Sequence, residues 1–427
     1  MAKTTKKRTT KHTSGSGAQT TIPAEPPGNP TVLYLATISF FFCFAIWALY
    51  APFGPYFMKW YGLSAGQVLI LVAIPALLGS VIRIPMGILA DKYGGRIVFT
   101  VLLFFCILPL VGAIFVNSYV MFLICGLFFG VSGTSFIIGI THVSNWYPQT
   151  KQGTALGIYG VGNVGTILAT IFVPILINNF FGDPAVGPPR IALGSMPGWH
   201  LIFGIYAIPA LAMGIIYWIM TSEPPRRHKA KTFGEIFSVY KSSGLTWIFS
   251  YLYWMTFGGF VCFSLFSPTY FYDRWDVDRY TASLVYTTIF VLITALIRSF
   301  GGWLSDRINP RQILIVTYGV SLGALVAMTA EISFPVQVGC LYLLGFCCGI
   351  GNACVFKLIP SYFTAVGAVG GLAGAMGGVG GFCMPIVMGM IKNATGSYKY
   401  GFGIWVAICL GTLIVVLMPK LFHKQRV

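Results

Sequence analysis

Two stretches of the sequence repeat one pattern: Arg83-Ile-Pro-Met-Gly-Ile-Leu-Ala-Asp-Lys92 and Arg298-Ser-Phe-Gly-Gly-Trp-Leu-Ser-Asp-Arg307. Arginine, glycine, leucine, aspartate and a basic residue recur at identical spacing, and each stretch closes a long apolar run. The repeat therefore divides the chain into two related halves. Internal repeats are typical of membrane transporters, which bind their solute near the middle of the membrane, between the repeats.

The composition indicates that most of the chain faces lipid. Of 427 residues, 56% are hydrophobic and 9% are charged, whereas a soluble domain carries about 25% charged residues. Twelve apolar runs are long enough for a membrane-spanning helix, and their continuity excludes the alternating pattern of a transmembrane strand. They are Thr31–Phe57, Gln67–Ile88, Ile97–Phe115, Tyr119–Val143, Thr154–Asn178, His200–Met220, Thr246–Phe271, Ala282–Leu304, Ile313–Ala330, Val336–Ile359, Gly367–Ile391 and Gly401–Met418.

These runs predict an all-α membrane protein with twelve transmembrane helices in two pseudo-symmetric halves of six helices. The halves cover residues 31–221 and 242–419, with a basic linker at 222–241 between them. Residues 1–30 are polar and contain no apolar segment, so we expect a disordered basic tail and no cleavable signal peptide. Residues 420–427 form a second short tail.

The distribution of the positive charges along the chain predicts the membrane topology. Of the 27 Lys and Arg residues, 18 lie in the tails or in loops of one parity, six lie in the other loops, and Arg83, Arg298 and Lys357 fall inside apolar runs. The positive-inside rule then predicts a multi-pass protein of the cytoplasmic (inner) membrane with both termini in the cytoplasm. The net charge of +17 needs no nucleic acid as partner, and the basic tails are solvated or touch anionic lipid.

Catalytic chemistry has no support in the sequence. The ten cysteines lie within apolar runs without zinc-ligand spacing to histidine, so we interpret them as small core residues. No nucleophile and base occur at a recognisable spacing. We expect neither an enzyme nor a bound metal or cofactor.

Arg83 and Arg298 lie deep in the predicted membrane. Each precedes the aspartate of its repeat by eight residues, or about 12 Å along a helix. An uncompensated arginine at that depth costs at least about 3 kcal/mol. All ten Asp and Glu residues map to loops, tails or helix ends, so no carboxylate partner is available. The arginine pair therefore predicts an anion site. Tyr253 and Phe257 at helical spacing, together with Phe136 and Phe356, favour a flat oxyanion between aromatic faces, although simple packing would also explain them.

The first repeat resembles a loop of the major facilitator superfamily, Gly-x-Leu-Ala-Asp-x-x-Gly-x-Arg, seen here as Gly87–Arg96. The resemblance implies that this loop joins helices two and three in the cytoplasm. It also implies that its aspartate latches one conformational state. The matching positions are Gly87, Asp91, Gly94 and Arg96, and in the second half Gly302, Asp306 and Arg307, where Pro310 interrupts the match.

Glycine-rich stretches carry a narrower resemblance, to the nitrate/nitrite porter family within that superfamily. They are Gly157–Gly165 on helix five and Gly370–Gly381 on helix eleven, supported by Trp47–Pro52, Ser144–Pro148 and Leu252–Gly258. The resemblance implies nitrate and nitrite as substrates, clamped by Arg83 and Arg298 with aromatic rings above and below. The residues that it implies at the site are Arg83, Arg298, Phe136, Tyr253, Phe257 and, as an amide donor, Asn163.

The glycines themselves predict close contact between helices, because one every third or fourth residue removes side chains from a helix face. Aligned by letters, Gly157-Ile-Tyr-Gly-Val-Gly162 pairs with Gly374-Ala-Met-Gly-Gly-Val379. We expect a moving contact and a narrow pathway in a monomer. Tight static packing is the alternative. The signature glycines are Gly157, Gly160, Gly162, Gly165, Gly374, Gly377, Gly378, Gly380 and Gly381.

The coupling mechanism stays open between two cycles. Two arginines without an anion would be an unpaired double charge, which favours exchange of one anion for another. Proton-coupled nitrate symport is the alternative, since His142 lies within the fourth run and could titrate. Lys357 is either a third cation near the arginines or a side chain that reaches the cytoplasmic end. Exchange of a carboxylate or organic phosphate, and a nitrate receptor that does not transport, are further alternatives.

Overall fold

The computed structural model of the protein describes residues 26–182, 191–193, 196–224, 233–277, 281–330 and 332–422. Eleven helices in these residues are long and apolar enough to cross a membrane, and a bent pair, Ile70–Val81 with Arg83–Tyr93, makes a twelfth span. The predicted all-α fold with twelve spans is confirmed. The disorder predicted for residues 1–30 concerns mostly residues 1–25, which lie outside the described residues.

Spans 1 to 6 form the first half, and several of them are interrupted. Their helical segments are Pro30–Trp47 and Tyr50–Tyr61 (span 1), Ala65–Val81 and Arg83–Tyr93 (span 2), Gly95–Ile114 (span 3), Tyr119–Val131, Ser132–Thr134 and Ser135–Trp146 (span 4), Gln152–Gly160, Val161–Val164, Gly165–Ile175 and Leu176–Phe181 (span 5), and Gly198–His200 and Leu201–Met220 (span 6). Before span 6, β1 (Ala192–Leu193) pairs with β2 (Met196–Pro197) in a small antiparallel ribbon.

Spans 7 to 12 form the second half after a linker that is itself partly helical. The linker helix is Phe233–Ser242, and the spans are Gly244–Tyr253, Trp254–Gly258 and Gly259–Trp275 (span 7), Ala282–Thr287 and Thr288–Arg307 (span 8), Pro310–Met328 (span 9), Phe334–Tyr362 (span 10), Val366–Thr395 (span 11) and Lys399–Leu417 (span 12), followed by a short turn, Pro419–Phe422.

Local signals in the sequence account for several helix ends. Span 1 begins with Pro30, and the side chain of Asn29 accepts a hydrogen bond from the Val32 amide at 3.1 Å. Span 2 begins with a reciprocal capping box between Ser64 and Gln67. Both arrangements satisfy amides that the first turn of a helix leaves unpaired.

Part of the irregular backbone lies near the predicted site. Span 2 bends by 42° immediately before Arg83. Span 4 contains the 3₁₀ turn Ser132–Thr134, span 5 contains the 3₁₀ turn Val161–Val164, and span 7 contains the π-helical segment Trp254–Gly258. At membrane depth such segments are tolerated only where protein or a cavity satisfies the freed backbone groups, and they often mark functional positions.

The halves meet through spans 2 and 11 and through spans 5 and 8. A Cβ at Gly157 would lie 2.5 Å from the carbonyl oxygen of Arg298, and a Cβ at Gly371 would lie 2.7 Å from the carbonyl oxygen of Arg83. These backbones can approach only because both positions are glycine. The contacts therefore make Gly157 the counterpart of Gly371.

The pairing of Gly157 with Gly374, obtained by aligning letters, was wrong by about one helical turn. Gly160, the next glycine of span 5, faces the guanidinium of Arg298, and Gly374 faces the side chain of Arg83. Because glycines recur every three or four residues in both stretches, the two sequences align almost equally well in registers that differ by one helical turn. Only the contacts across the interface fix the register.

Candidate functional site

Arg83 is held by two main-chain carbonyl groups. Its side chain is buried, with 1% of the residue exposed. Nε donates to the Gly133 oxygen at 3.3 Å, and Nη1 donates to the Gly374 oxygen at 2.7 Å. The first acceptor belongs to the 3₁₀ turn of span 4 and the second to span 11, so the guanidinium joins the two halves. Carbonyl dipoles hold this charge, and Arg83 forms no ion pair among the described residues.

Arg298 is equally buried but differently partnered. The residue is 2% exposed, and neither Nε nor Nη1 has a hydrogen-bond partner among the described residues. Gly160 lies against it, since a Cβ there would be 2.5 Å from Nε. A buried N–H group without an acceptor is costly. The two arginines are therefore asymmetric, and Arg298 has donors left to offer.

The ring of Phe136 lies between the arginines. The guanidinium carbons of Arg83 and Arg298 lie 5.8 Å and 5.4 Å from its centroid, and the carbon of Arg83 lies 5.2 Å from the Phe257 ring. These distances are within the range of cation–π attraction. Phe356 completes the group by standing edge-on to Phe136 at 5.0 Å and to Tyr253 at 4.8 Å. The structure thus brings together the two arginines and all four of the aromatic residues.

Three of the rings are nearly parallel. The planes of Tyr253 and Phe257 lie within 16° and 15° of the plane of Phe136, with centroids 6.1 Å and 5.8 Å away. A flat ion with rings above and below needs roughly 7 Å between the planes, from two contacts of about 3.5 Å. Because the distance between the planes cannot exceed the distance between the centroids, the rings must separate by at least about 1 Å before they could enclose such an ion.

Tyr253 and Asn163 bring further unpartnered polar atoms. The hydroxyl of Tyr253 is within electrostatic range of Arg298 but makes no hydrogen bond of normal geometry among the described residues. Asn163 is buried in the 3₁₀ turn of span 5, and its Oδ1 also has no partner there. The neighbouring Gly162 packs against Phe40, whose ring lies 5.7 Å from Phe136. The Asn163 side chain itself forms no hydrogen bond to either arginine among the described residues.

His142 lies away from the arginine pair. Its Nδ1 is 2.7 Å from the Tyr217 hydroxyl, and its Nε2 is 3.0 Å from the Ser222 carbonyl oxygen. The indole of Trp146 donates to the same oxygen at 3.1 Å. These contacts join spans 4 and 6 at the end of the bundle where Asp91 and Asp306 lie, which we call the aspartate end.

Lys357 also reaches the aspartate end and not the arginines. Its Nζ lies 2.6 Å from Asp306 Oδ1 and donates to the Gln149 carbonyl. Phe356, the preceding residue, is part of the aromatic group. Two consecutive residues of span 10 thus point to different places: the ring of Phe356 lies at the arginines, and the ammonium of Lys357 lies at Asp306.

Each aspartate of the repeat caps a helix of the opposite half. Asp91 accepts hydrogen bonds from the amides of Gly367 and Ala368 at 3.0 Å and 2.9 Å. Asp306 accepts from the amides of Gly153 and Thr154 at 2.8 Å and 2.7 Å. A carboxylate at the first turn of a helix satisfies free amides and interacts favourably with the helix dipole. We call these two caps the latches. They join the two halves at the aspartate end.

The other residues of the loop motif support the latches. Gly87 and Gly302 let the opposing backbones of Gly367 and Gly153 approach, and Gly94 turns the chain with φ of +95°. Arg96 donates to the carbonyl oxygen of Trp218, whereas the guanidinium of Arg307 lies 3.9 Å from the ring centroid of Trp303.

Other polar groups in the interior were not singled out from the sequence. The carbonyl acceptors at Gly133 and Gly374 could not be recognised in the sequence, because every residue carries a carbonyl group. Asn352 could have been recognised, because it is a polar amide residue inside the tenth apolar run. It is fully buried, and neither atom of its amide has a partner among the described residues.

Comparisons with known proteins agree with this architecture. The model of the Major Facilitator Superfamily matches residues 36–385 and 275–426. The human organic anion transporter MFSD10 superimposes with a TM-score of 0.72 at 13% identity, covering 90% of this chain and 99% of that one. The proton:xylose symporter XylE superimposes with a TM-score of 0.73 at 14% identity, covering 91% and 94%. These likenesses concern the fold alone.

Closer relatives appear among curated proteins. A probable nitrate/nitrite antiporter of Thermus thermophilus is 35% identical, and the match covers 87% of both chains. A nitrite extrusion protein of Bacillus subtilis is 30% identical over 90% of this chain and 93% of its own. A probable nitrate transporter of Staphylococcus epidermidis is 30% identical over 92% and 97%.

Proposed function

The chain belongs to the major facilitator superfamily, and on that premise we propose that it moves nitrate and nitrite across the cytoplasmic membrane by alternating access. Exchange of one anion for the other is the favoured cycle. The observation that carries the proposal is the pair of buried arginines on one phenylalanine ring, Arg83 and Arg298 on Phe136. Relatives named as a nitrate/nitrite antiporter and a nitrite extrusion protein, which match most of the chain, support the choice of anion.

Charge selects an anion. Two guanidiniums lie in the interior, while the acidic residues in the described part of the chain all lie in the linker helix or at or beyond the ends of spans: Asp91, Glu223, Glu235, Asp273, Asp276 and Asp306. Because a buried charge is costly without an opposite charge, a bound anion would complete the site. Arg298, whose Nε and Nη1 have no partners among the described residues, is the principal ligand, and Arg83 is the fixed member of the pair.

Shape selects a small, flat ion. Near-parallel rings on spans 4 and 7 present flat faces to a planar oxyanion, and they need to move apart by at least about 1 Å to hold it. The glycine contacts between the halves leave little lateral room for a larger solute. Arginine adds bidentate geometry that matches two oxygen atoms in one plane.

Exchange follows from the same charges. Closing an empty site around two arginines would leave two unpaired positive charges in the interior, whereas a bound anion in either direction compensates one of them. Entry of an anion alone against an inside-negative potential costs about 2.3 kcal/mol per 100 mV. The outward movement of a second anion removes this cost.

The latches define the conformational step. Release towards the aspartate end requires Asp91 and Asp306 to leave the first turns of spans 11 and 5. We place this end, and both termini, in the cytoplasm, since the loops there carry most of the positive charge. The protein works as a monomer in lipid, with one site between its halves.

Proton-coupled symport is the second candidate, and His142 is the observation that favours it. Its imidazole is buried and bridges spans 4 and 6. Because those contacts lie apart from the arginine pair, a proton there would act on the aspartate end and not on the anion directly. Exchange therefore remains the first candidate.

Transport into proteoliposomes tests the proposal. Purified full-length protein is reconstituted, and nitrate uptake is measured with or without internal nitrite and with or without a pH gradient. We expect uptake that requires internal nitrite and ignores the gradient. Uptake that requires the gradient and ignores internal nitrite would select symport, and His142→Gln would then be the first variant to measure. Stronger competition by formate or acetate than by nitrite would reject the choice of anion.

A further inference from the structure

We propose that Asn352 is a further anion-contact residue, whose amide donates to the ion bound between Arg83 and Arg298. The proposal rests on the function proposed above. Asn352 is fully buried in span 10, and neither Nδ2 nor Oδ1 has a hydrogen-bond partner among the described residues. Buried side-chain amides in folded proteins nearly always have partners. An amide left without any is a candidate for a ligand.

The contacts of neighbouring residues fix the level of Asn352 in the membrane. A Cβ at Gly349 would meet the side chain of Ile297, and a Cβ at Gly301 would lie 2.8 Å from Cα of Ile350. Residues 349–353 of span 10 are therefore level with residues 297–301 of span 8. That turn of span 8 carries Arg298.

The direction of the side chain follows from the same helix. Gly349 faces span 8, and Gly351 faces Thr256, in the π-helical segment of span 7. At about 100° per residue, position 352 points between these two faces, towards the junction of spans 7 and 8. Phe356 lies one turn further on the same side and reaches Tyr253 there. Asn352 is thus aimed at the group of Arg298, Tyr253 and Phe356.

In the described part of the chain, three spans carry polar atoms at this junction that make no hydrogen bond of normal geometry. They belong to Tyr253 on span 7, Arg298 on span 8 and Asn352 on span 10. The amide nitrogen can donate to an oxygen of the anion, while the amide oxygen can accept from the tyrosine hydroxyl or from a guanidinium N–H. A neutral donor orients the ion without adding a third positive charge. The arrangement suits a planar monovalent oxyanion.

Removing the amide separates a ligand residue from a structural one. Asn352→Leu keeps the approximate volume and removes both polar atoms. If the amide serves only the anion, nitrate should bind about tenfold to a hundredfold more weakly, as for a lost hydrogen bond to a charged group. The melting temperature of the anion-free protein should rise by roughly 1–3 °C, because a buried unsatisfied group has gone.

Gln337→Leu is the matched control. Gln337 is also a buried amide of span 10, but its Nε2 donates to the Tyr270 hydroxyl at 2.7 Å. This variant should melt at a lower temperature and bind nitrate normally. If Asn352→Leu behaves in the same way, with a lower melting temperature and unchanged nitrate affinity, Asn352 is structural and the proposal is overturned.

A panel of anions and a second variant distinguish failure of the Asn352 proposal from failure of the proposed function. Dissociation constants are measured on purified full-length protein with potassium nitrate, potassium nitrite, and a panel of formate, acetate and chlorate. Wild-type protein that binds formate but neither nitrate nor nitrite contradicts the proposed function, and the comparison of variants is then made with formate. Asn352→Asp, of the same size, should reduce binding of the anion at least a hundredfold at pH 7, because its carboxylate would compete for Arg298. Unchanged binding in this variant overturns the contact.

Discussion

Replacing each arginine by lysine should separate stability from transport, because the two guanidiniums are partnered differently. Arg83 donates to two carbonyl groups, on spans 4 and 11. A lysine ammonium carries the same charge but lacks the fork that reaches both acceptors. Arg83→Lys should therefore lose one charge-assisted hydrogen bond, about 1.5–3 kcal/mol of stability. Its melting temperature should fall by several degrees.

Arg298→Lys should have the opposite profile. Since Nε and Nη1 of Arg298 have no partners in the described part of the chain, removing them should change the stability by less than about 0.5 kcal/mol. Losing two bonds of about 1.5 kcal/mol each to a bound anion would weaken nitrate binding by about 3 kcal/mol, or roughly 150-fold. Transport should disappear in both variants.

Thermal unfolding and counterflow measure the two properties on the same preparations. Melting temperatures are taken without anion in one detergent, and nitrate entry is followed in proteoliposomes that contain nitrite. Equal loss of stability in both variants would contradict the inference that Arg83 and Arg298 differ in their hydrogen bonds. Near-normal transport by either variant would refute the bidentate clamp.

Three further predictions concern the elements around the site. Asp306→Asn should weaken the second latch by about 3 kcal/mol, because it leaves the buried ammonium of Lys357 without its carboxylate; amide hydrogen exchange at residues 153–154 should accelerate, and unchanged protection would contradict the latch. Gly371→Ala should abolish transport, since its Cβ would lie 2.7 Å from the Arg83 carbonyl oxygen, whereas Gly389→Ala, with open space around it, should transport normally; equal activity of the two variants in counterflow would count against the close contact. His142→Gln should keep nitrate/nitrite exchange within about threefold of the wild type, because an amide can still bond to span 6; loss of exchange with retained nitrate binding would give His142 a role in the cycle.

The features that depend on local composition were predictable from the sequence. Continuous apolar runs gave all twelve spans, since a helix needs only enough apolar residues to cross the hydrocarbon. The depth of Arg83 followed from its distance along the chain to Asp91. The bend before Arg83, which falls at Ile82 within a continuous apolar run, was not predictable in this way.

The partners of individual side chains were less accessible. Lys357 could have reached the arginines or the aspartate end, because its flexible stem allows both, and only the packing of span 10 against span 8 brings it to Asp306. The acceptors of Arg83 are the backbone carbonyl groups of Gly133 and Gly374, and the sequence does not distinguish them from any other backbone carbonyl group. The asymmetry between the two arginines was therefore invisible in two repeats with the same spacing.

The sequence by itself determined the number of spans, the two halves, and a pair of buried arginines without a carboxylate, because hydropathy and charge act residue by residue along a helix. Only the tertiary structure decided which glycines face which arginine, which aspartate caps which helix, and which buried amide lacks a partner. Those are relations between faces of different helices. A helix repeats its faces every turn, so spacing alone leaves their register open, and contact between the halves selects one.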